Sequence, residues 1–214
     1  MPPVFDQLSL GSCTACALAS LYEYLNPSFD PSKLFLYYNE RYLDSLKPRG
    51  NNPSIDDGST LSQGISSLLQ FGVCREQLWP YDITKVGLQP NTGCYTDALV
   101  HQITQYASVN QKVTDMKNLL SLGYPFVIGF AVFRSFMTTK VSKTGIAIMP
   151  LKSDRLVGYH AVSVVGYNDI KQWWICRNSW GINWGDKGYF YLPYAYLTNP
   201  YLSFDFWTIQ QVET

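Results

Sequence analysis

The sequence contains only two histidines, His101 and His160, so an imidazole that moves protons must be one of them. His101 stands in ALVHQITQY with no second group of catalytic type beside it, and reads as a surface or capping histidine. His160 opens the apolar strand pattern HAVSVVGY, where a buried imidazole needs a fixed hydrogen-bond partner. Asn178 closes a second strand pattern, WWICRN, and a hairpin of the two strands would set it beside His160. Its amide oxygen can accept from one ring nitrogen and leave the other to face a nucleophile.

The nucleophile of choice is Cys13. It follows Ser12, a candidate N-cap, and opens the helical pattern CTACALASLYEYL, where unpaired backbone N–H groups and the helix dipole favour a thiolate. Gln7, six residues earlier, can offer its side-chain NH₂ beside the backbone N–H of Cys13, which makes a two-donor hole for a developing oxyanion. Cys13, His160, Asn178 and Gln7 together describe an acyl-transfer site. The plainer reading of Cys13 is a buried structural thiol, and of His160 and Asn178 a strand-end histidine and a turn asparagine. Cys13 and Cys16 also spell C-x-x-C, but no second such pair, no nearby histidine and no βαβ pattern accompany it, so no metal or redox cofactor is expected.

These residues need elements to hold them. After the Cys13 helix, Asp30-Pro31 reads as cap and first turn of SKLFLYYNERYLDSL, with Leu34, Tyr38 and Tyr42 on one face. Lys47 to Ser59 is dense in Pro, Gly, Asn and Asp and reads as loop; Leu61, Ile65, Leu68 and Leu69 then line a helix stopped at Gly72. A further helix is predicted over Thr96–Tyr106. From residue 124 the pattern changes to strands, YPFVIGFAVF, HAVSVVGY, WWICRN and GYFYLPY. Helices first and strands second give an α+β chain of two lobes, with the boundary near residues 106–115.

With 214 residues, 46% hydrophobic and 15% charged, the composition is that of a folded globular chain. Sixteen basic against sixteen acidic residues supply no pull towards nucleic acid or anionic lipid. The run Tyr124 to Phe133 is too short to span a membrane and is broken by Pro125 and Gly129, and the N-terminus carries no signal-peptide pattern. Neither nucleic acid nor membrane is expected as a partner, and the compartment is left open. Five cysteines exclude a fully paired disulfide framework; Cys74 and Cys94, in loop-like stretches, are the pair to choose if a bridge exists.

The stretches Gln7 to Ala15, Gly158-Tyr159-His160-Ala161-Val162 and Arg177-Asn178-Ser179-Trp180-Gly181-Ile182-Asn183-Trp184-Gly185 resemble the papain/cathepsin cysteine peptidases. Asp57-Gly58-Ser59, Gly72, Trp79-Pro80-Tyr81 and Gly188-Tyr189-Phe190 extend the likeness over nearly the whole chain. The resemblance implies one papain-like domain over 1–214, with a helical lobe (8–107), an antiparallel β-barrel-like lobe (108–214) and an active-site cleft between them. Cys13 would stand on one side, His160 and Asn178 on the other, with Trp180 covering the His–Asn hydrogen bond from water. It implies a peptide or protein substrate, a propeptide or protein inhibitor as a further occupant of the cleft, and a monomer.

Gly58 or Ser59 would hydrogen-bond substrate backbone. Thr60 would stand near the main side-chain pocket, with Gly129, Gly158, Tyr159 and residues near Ser203–Phe204. The chain departs from the family pattern at Leu10, where a second cysteine is usual, at Thr14, where an aromatic is usual, and at Ser59, where a second glycine is usual. Residues 134–157 read as an unusual loop between strands. A transpeptidase or ligase would carry the same site, and a silent binding module would have lost Cys, His or Gln from it; none is lost here.

Overall fold

The computed structural model describes residues 1–213 and divides them into two compact units. The first comprises Met1–Pro2, Gln7–Ala107 and the segment from Ile209; the second comprises Pro3–Asp6 and Ser108–Thr208.

Three helices form the body of the first unit: α1 (Cys13–Leu25), α2 (Lys33–Ser45) and α3 (Leu61–Gln70). They bury Leu18, Leu21, Tyr22, Leu34, Phe35, Leu61, Ile65 and Leu68, the residues that recur at helical spacing. A Cβ on Gly64 would come within 2.1 Å of the Leu18 side chain, so α3 approaches α1 as closely as it does only because this position has no side chain. Thr60 and Gln63 close a reciprocal capping box at the start of α3. Gly72 follows its end with φ of +70°.

Several local expectations are corrected. Ser12 occupies the N-cap position of α1 but its hydroxyl makes no cap bond; it meets the Tyr81 hydroxyl at 2.6 Å instead. Helix α2 is capped by Ser32, whose hydroxyl accepts from the Phe35 N–H at 3.1 Å, and Pro31 pairs with Arg75 as an isolated bridge rather than entering the helix. The helix expected over Thr96–Tyr106 is instead α4 (Thr92–Ala98), followed by a turn and a strand, β1 (Ile103–Ser108). His101 lies in that turn and is buried against the Phe29 ring, at 4.2 Å between centroids, rather than on the surface.

The second unit holds α5 (Val113–Ser121), β2 (Phe126–Phe133), α6 (Thr139–Thr144), β3 (Leu156–Asn168), β4 (Trp173–Arg177), β5 (Tyr189–Pro193) and α7 (Tyr194–Leu197). The chain ends in β6 (Ser203–Val212), whose residues from Ile209 belong to the first unit, as β1 does up to Ala107. In the sheet order β1-β6-β2-β3-β4-β5 the two ends do not meet, so the sheet is open and not closed into a barrel. Its β2–β3, β2–β6, β3–β4 and β4–β5 pairs are antiparallel. The apolar face packs Phe126, Ile128, Phe130, Val162, Val164, Trp174, Phe190 and Leu192 into one core. The stretch 134–157, expected as loop, contains α6, capped by Thr138 and ended by Gly145 in the left-handed region.

Candidate active site

In the first unit, Cys13 is the opening residue of α1 and is half-buried. The turn before it is fixed on both sides. The buried Gln7 side chain donates from Nε2 to the Leu10 carbonyl at 2.8 Å, and the Leu10 N–H donates to the Gln7 carbonyl at 3.2 Å. The Tyr81 hydroxyl donates to the same Gln7 carbonyl at 2.9 Å while contacting Ser12 Oγ. Gln7 is thus held in the turn that leads into Cys13.

A second support joins this turn to the loop of residues 56–59. The Gly11 N–H donates to both oxygens of Asp56, at 3.0 and 3.2 Å. The Tyr37 hydroxyl donates to the same carboxylate and accepts from the Gly58 N–H at 3.0 Å. A Cβ on Gly11 would stand 3.2 Å from Asp56 Oδ1 and 3.4 Å from the Gly58 Cα, so the loop lies directly against the approach to Cys13. Gly58 itself has φ of +76°. Thr60, by contrast, is exposed and its hydroxyl is the cap of α3. Sequence reasoning missed Asp56 and Tyr37; the only signal was an acidic residue inside a turn-rich stretch, which by itself means no more than loop.

In the second unit, His160 sits on β3 opposite Phe130 of β2, and Asn178 follows β4 directly. The hairpin brings them together: His160 Nε2 lies 2.7 Å from Asn178 Oδ1. An amide oxygen only accepts, so Nε2 carries the proton and Nδ1 is the basic nitrogen of the neutral ring. Asn178 Oδ1 also accepts from the Ser179 N–H at 2.9 Å, which fixes which end of the amide faces the imidazole. The Asn178 N–H donates to the Gly188 carbonyl at 2.9 Å.

Trp180 lies flat on the imidazole, with centroids 4.6 Å apart and planes 27° apart, and Phe130 meets the ring edge-on from another side. Trp180 is backed by Trp184 at 4.9 Å and Phe136 at 6.0 Å. Its backbone pairs with Asp6, and the Gly181 N–H donates to the Phe5 carbonyl at 3.0 Å. His160 is buried. Burial pushes its pKa down to about 4, only partly offset by the hydrogen bond to Asn178.

Tyr159 is exposed, on the opposite face of β3 from His160, and its ring meets Phe204 edge-on at 5.5 Å. The Phe204 ring lies over Gly129, where a Cβ would come within 2.7 Å of it. A Cβ on Gly158 would meet nothing within 4 Å. None of the five cysteines is in a disulfide; Cys16 and Cys176 are buried, and burial raises the Cys16 thiol to about 12. Among the described residues no cluster suits a metal ion, and no helix is long and apolar enough to cross a membrane.

Residues 1–197 match the papain family of cysteine proteases. The chain is 39% identical over 221 aligned residues to an uncharacterised peptidase C1-like protein of Acanthamoeba polyphaga mimivirus, covering 97% of this chain and 69% of that one. It is 30% identical to cysteine proteinase 2 of Entamoeba histolytica, covering 87% of this chain and 58% of that protein. The chain therefore spans a little over half the length of that relative.

Among solved structures, xylellain, a cysteine protease from Xylella fastidiosa, superposes with a TM-score of 0.88 at 38% identity, over 99% of this chain and 84% of that one. The digestive procathepsin L 3 of Tenebrio molitor shares the fold at 18% identity and TM-score 0.69, over 95% of this chain and 66% of that one. The mixed helical and antiparallel-sheet architecture is that of these proteases. This chain belongs to the papain family of cysteine proteases.

Proposed function

We propose that the chain hydrolyses peptide bonds, with Cys13 as nucleophile, His160 as acid–base, Asn178 as the residue that orients it, and Gln7 with the Cys13 N–H as oxyanion donors. The observation that carries this reading is the His160–Asn178 hydrogen bond under Trp180, which leaves Nδ1 as the one nitrogen able to exchange a proton with a thiol. The Cys13 thiolate attacks the peptide carbonyl, and the oxyanion is held by the two donors. His160 then gives its proton to the leaving amine as the acyl-enzyme forms. Water, deprotonated by the same nitrogen, releases the acid and restores the thiol.

An imidazole that burial holds neutral is a poor cation by itself. In the proposed mechanism a Cys13 thiolate would be the anion that compensates its charge. The loop of residues 56–59, tied to Gly11 through Asp56 and Tyr37, presents Gly58 and Ser59 to substrate backbone, while Gly129, Gly158, Tyr159 and Phe204 shape a side-chain surface. A propeptide would occupy the same groove as substrate.

The test is cleavage of a fluorogenic peptide library by the wild type and by Cys13→Ala and His160→Ala, with product masses followed in the presence of an added amine. Hydrolysis products from the wild type alone support the reading. Joined products in place of acids would make the enzyme a transpeptidase, and no turnover by well-folded wild type would make it a binding module.

A further inference from the structure

The segment Pro3–Asp6 belongs to the second unit and lies against the loop that carries Asn178 and Trp180. Asp6 pairs with Trp180, and the Phe5 carbonyl accepts from the Gly181 N–H at 3.0 Å. Further along the loop, a Cβ on Gly188 would come within 2.6 Å of the Val4 side chain, so only a residue without a side chain admits Val4 this closely. The carbonyl of the same glycine accepts from the Asn178 N–H at 2.9 Å. Val4, Phe5 and Asp6 thus meet the loop at Gly188, Gly181 and Trp180.

Arg177 fastens the segment itself. It is the last residue of β4, directly before Asn178, and is only 3% exposed. Its backbone is set by pairing with Ser163 of β3 and Tyr189 of β5. Its guanidinium donates from Nη2 to the Pro3 carbonyl and lies over the Phe5 ring, 4.7 Å from the centroid. Taking a cation out of water is costly, and an apolar side chain would fill the same space without that cost. A guanidinium, however, donates along its edge while its face stacks on an aromatic, which an ammonium cannot do. The residue type suits a clamp that needs both contacts.

We propose that Arg177 is a positioning residue for the proposed reaction: by clamping Pro3 and Phe5 it seats the segment Pro3–Asp6 on residues 178–188, and so holds Trp180 and Asn178 in register with His160. The inference rests on the peptidase reading for its effect on turnover. Arg177 acts through its neighbours. Trp180 and Gly181 are pinned by the segment, and Asn178 and Ser179 lie between those pins and the end of β4. The Asn178 oxygen that accepts from the Ser179 N–H is the one that meets His160 Nε2. Loosening the segment would release the Trp180 side of the loop while the strands stay paired, so the loss falls on the orientation of the imidazole rather than on the sheet.

The experiment compares Arg177→Met, Phe5→Leu and Phe5→Tyr in the full chain. Phe5→Leu removes the aromatic face, and Phe5→Tyr keeps it. Each is made in the wild type for peptide kinetics and in Cys13→Ala, with isotope-labelled histidine, for NMR of the exchange of the His160 Nε2 proton with water well below the melting temperature. For Arg177→Met and Phe5→Leu the expected result is a fall of about tenfold in kcat with KM within about twofold, and exchange about tenfold faster, at unchanged circular dichroism. Phe5→Tyr should stay within about twofold of its parent in both measurements. A lower melting temperature with kcat and proton exchange unchanged would make the clamp a purely structural tie and overturn the proposal, as would losses in Phe5→Tyr equal to those in Phe5→Leu. Should Arg177→Met not fold, Phe5→Leu decides between these results. If the wild type cleaves no peptide, the peptidase reading fails, and exchange of the Nε2 proton still decides whether the clamp positions the imidazole.

Discussion

Asn178 Oδ1 lies 2.7 Å from His160 Nε2 and 2.9 Å from the Ser179 N–H, so one oxygen, fixed by the backbone that follows it, sets both the tautomer and the tilt of the imidazole. The amide does not itself exchange a proton. Removing it should therefore misorient the base rather than eliminate it. We expect Asn178→Ala to lower kcat/KM about 10- to 100-fold, the loss of one hydrogen bond to a group that becomes charged, while Cys13→Ala abolishes turnover with little change in fold. Peptide kinetics and circular dichroism on the two variants check this. Equal losses in both, with intact folding, would contradict the division of roles.

The titration of His160 offers a second check. In Cys13→Ala no thiolate is available, and the imidazole should titrate near 4, below its ordinary 6.5, because burial disfavours the cation. Between these values the unfolded chain binds more protons than the folded one. The stabilisation from keeping this ring neutral is therefore complete above about pH 6.5 and is lost as the pH falls towards 4, a change of up to about 3 kcal/mol. NMR of the two histidines, assigned with a His101→Gln variant, measures the midpoint directly. A midpoint for His160 at or above 6.5 would show that Trp180 and Phe130 do not exclude water from the ring.

Tyr37 joins the Gly58 N–H to Asp56 from within the helical core, and Asp56 in turn holds Gly11. Tyr37→Phe keeps the ring and removes only the hydroxyl. A cost of about 1–2 kcal/mol in urea unfolding is expected, from the unsatisfied groups left behind. If the loop binds substrate backbone, KM should rise several-fold while kcat stays within about twofold, because the loop positions substrate without touching the reacting atoms. A fall in kcat at constant KM would place the effect at Cys13 instead.

Phe204 fills the space above Gly129 and rests on Tyr159. Phe204→Ala empties that space. The variant should shift preference towards peptides with larger apolar side chains by about tenfold in kcat/KM relative to the wild type, as expected for a change of several buried methylene equivalents. Profiling with a positional peptide library reads the shift; an unchanged profile would remove Phe204 from the pocket.

Much of this arrangement was legible in the sequence because the deciding signals are local. Apolar spacing located α1, α2, α3 and the strands β2 to β5, and the scarcity of histidine singled out His160. What was not legible depends on distant partners. Strand β6 carries Asp205 in the left-handed region and ends in Gln210, Gln211 and Val212, so its alternation is broken; its pairing with β2 shifts register between Val127 and Gly129. The helix expected over Thr96–Tyr106 instead ends at Ala98; Leu99 and Val100 are exposed in the turn that follows, and Ile103 starts a strand. Ser12 looks like an N-cap by position, but the Tyr81 hydroxyl, far along the chain, takes its side chain. The Asp56–Tyr37 support is likewise a tertiary fact with no spacing to announce it.

The central claim, that Cys13 is a thiolate made reactive by His160, is tested most directly by the rate of iodoacetamide alkylation at Cys13 across a pH series, in wild type and in His160→Ala, with peptide mapping to assign the site. Rapid labelling of Cys13 below pH 7 that disappears in His160→Ala, and that matches the loss of peptide cleavage in the wild type, is the predicted result. Labelling that rises only near the ordinary thiol pKa, at the same rate in both proteins, would contradict it.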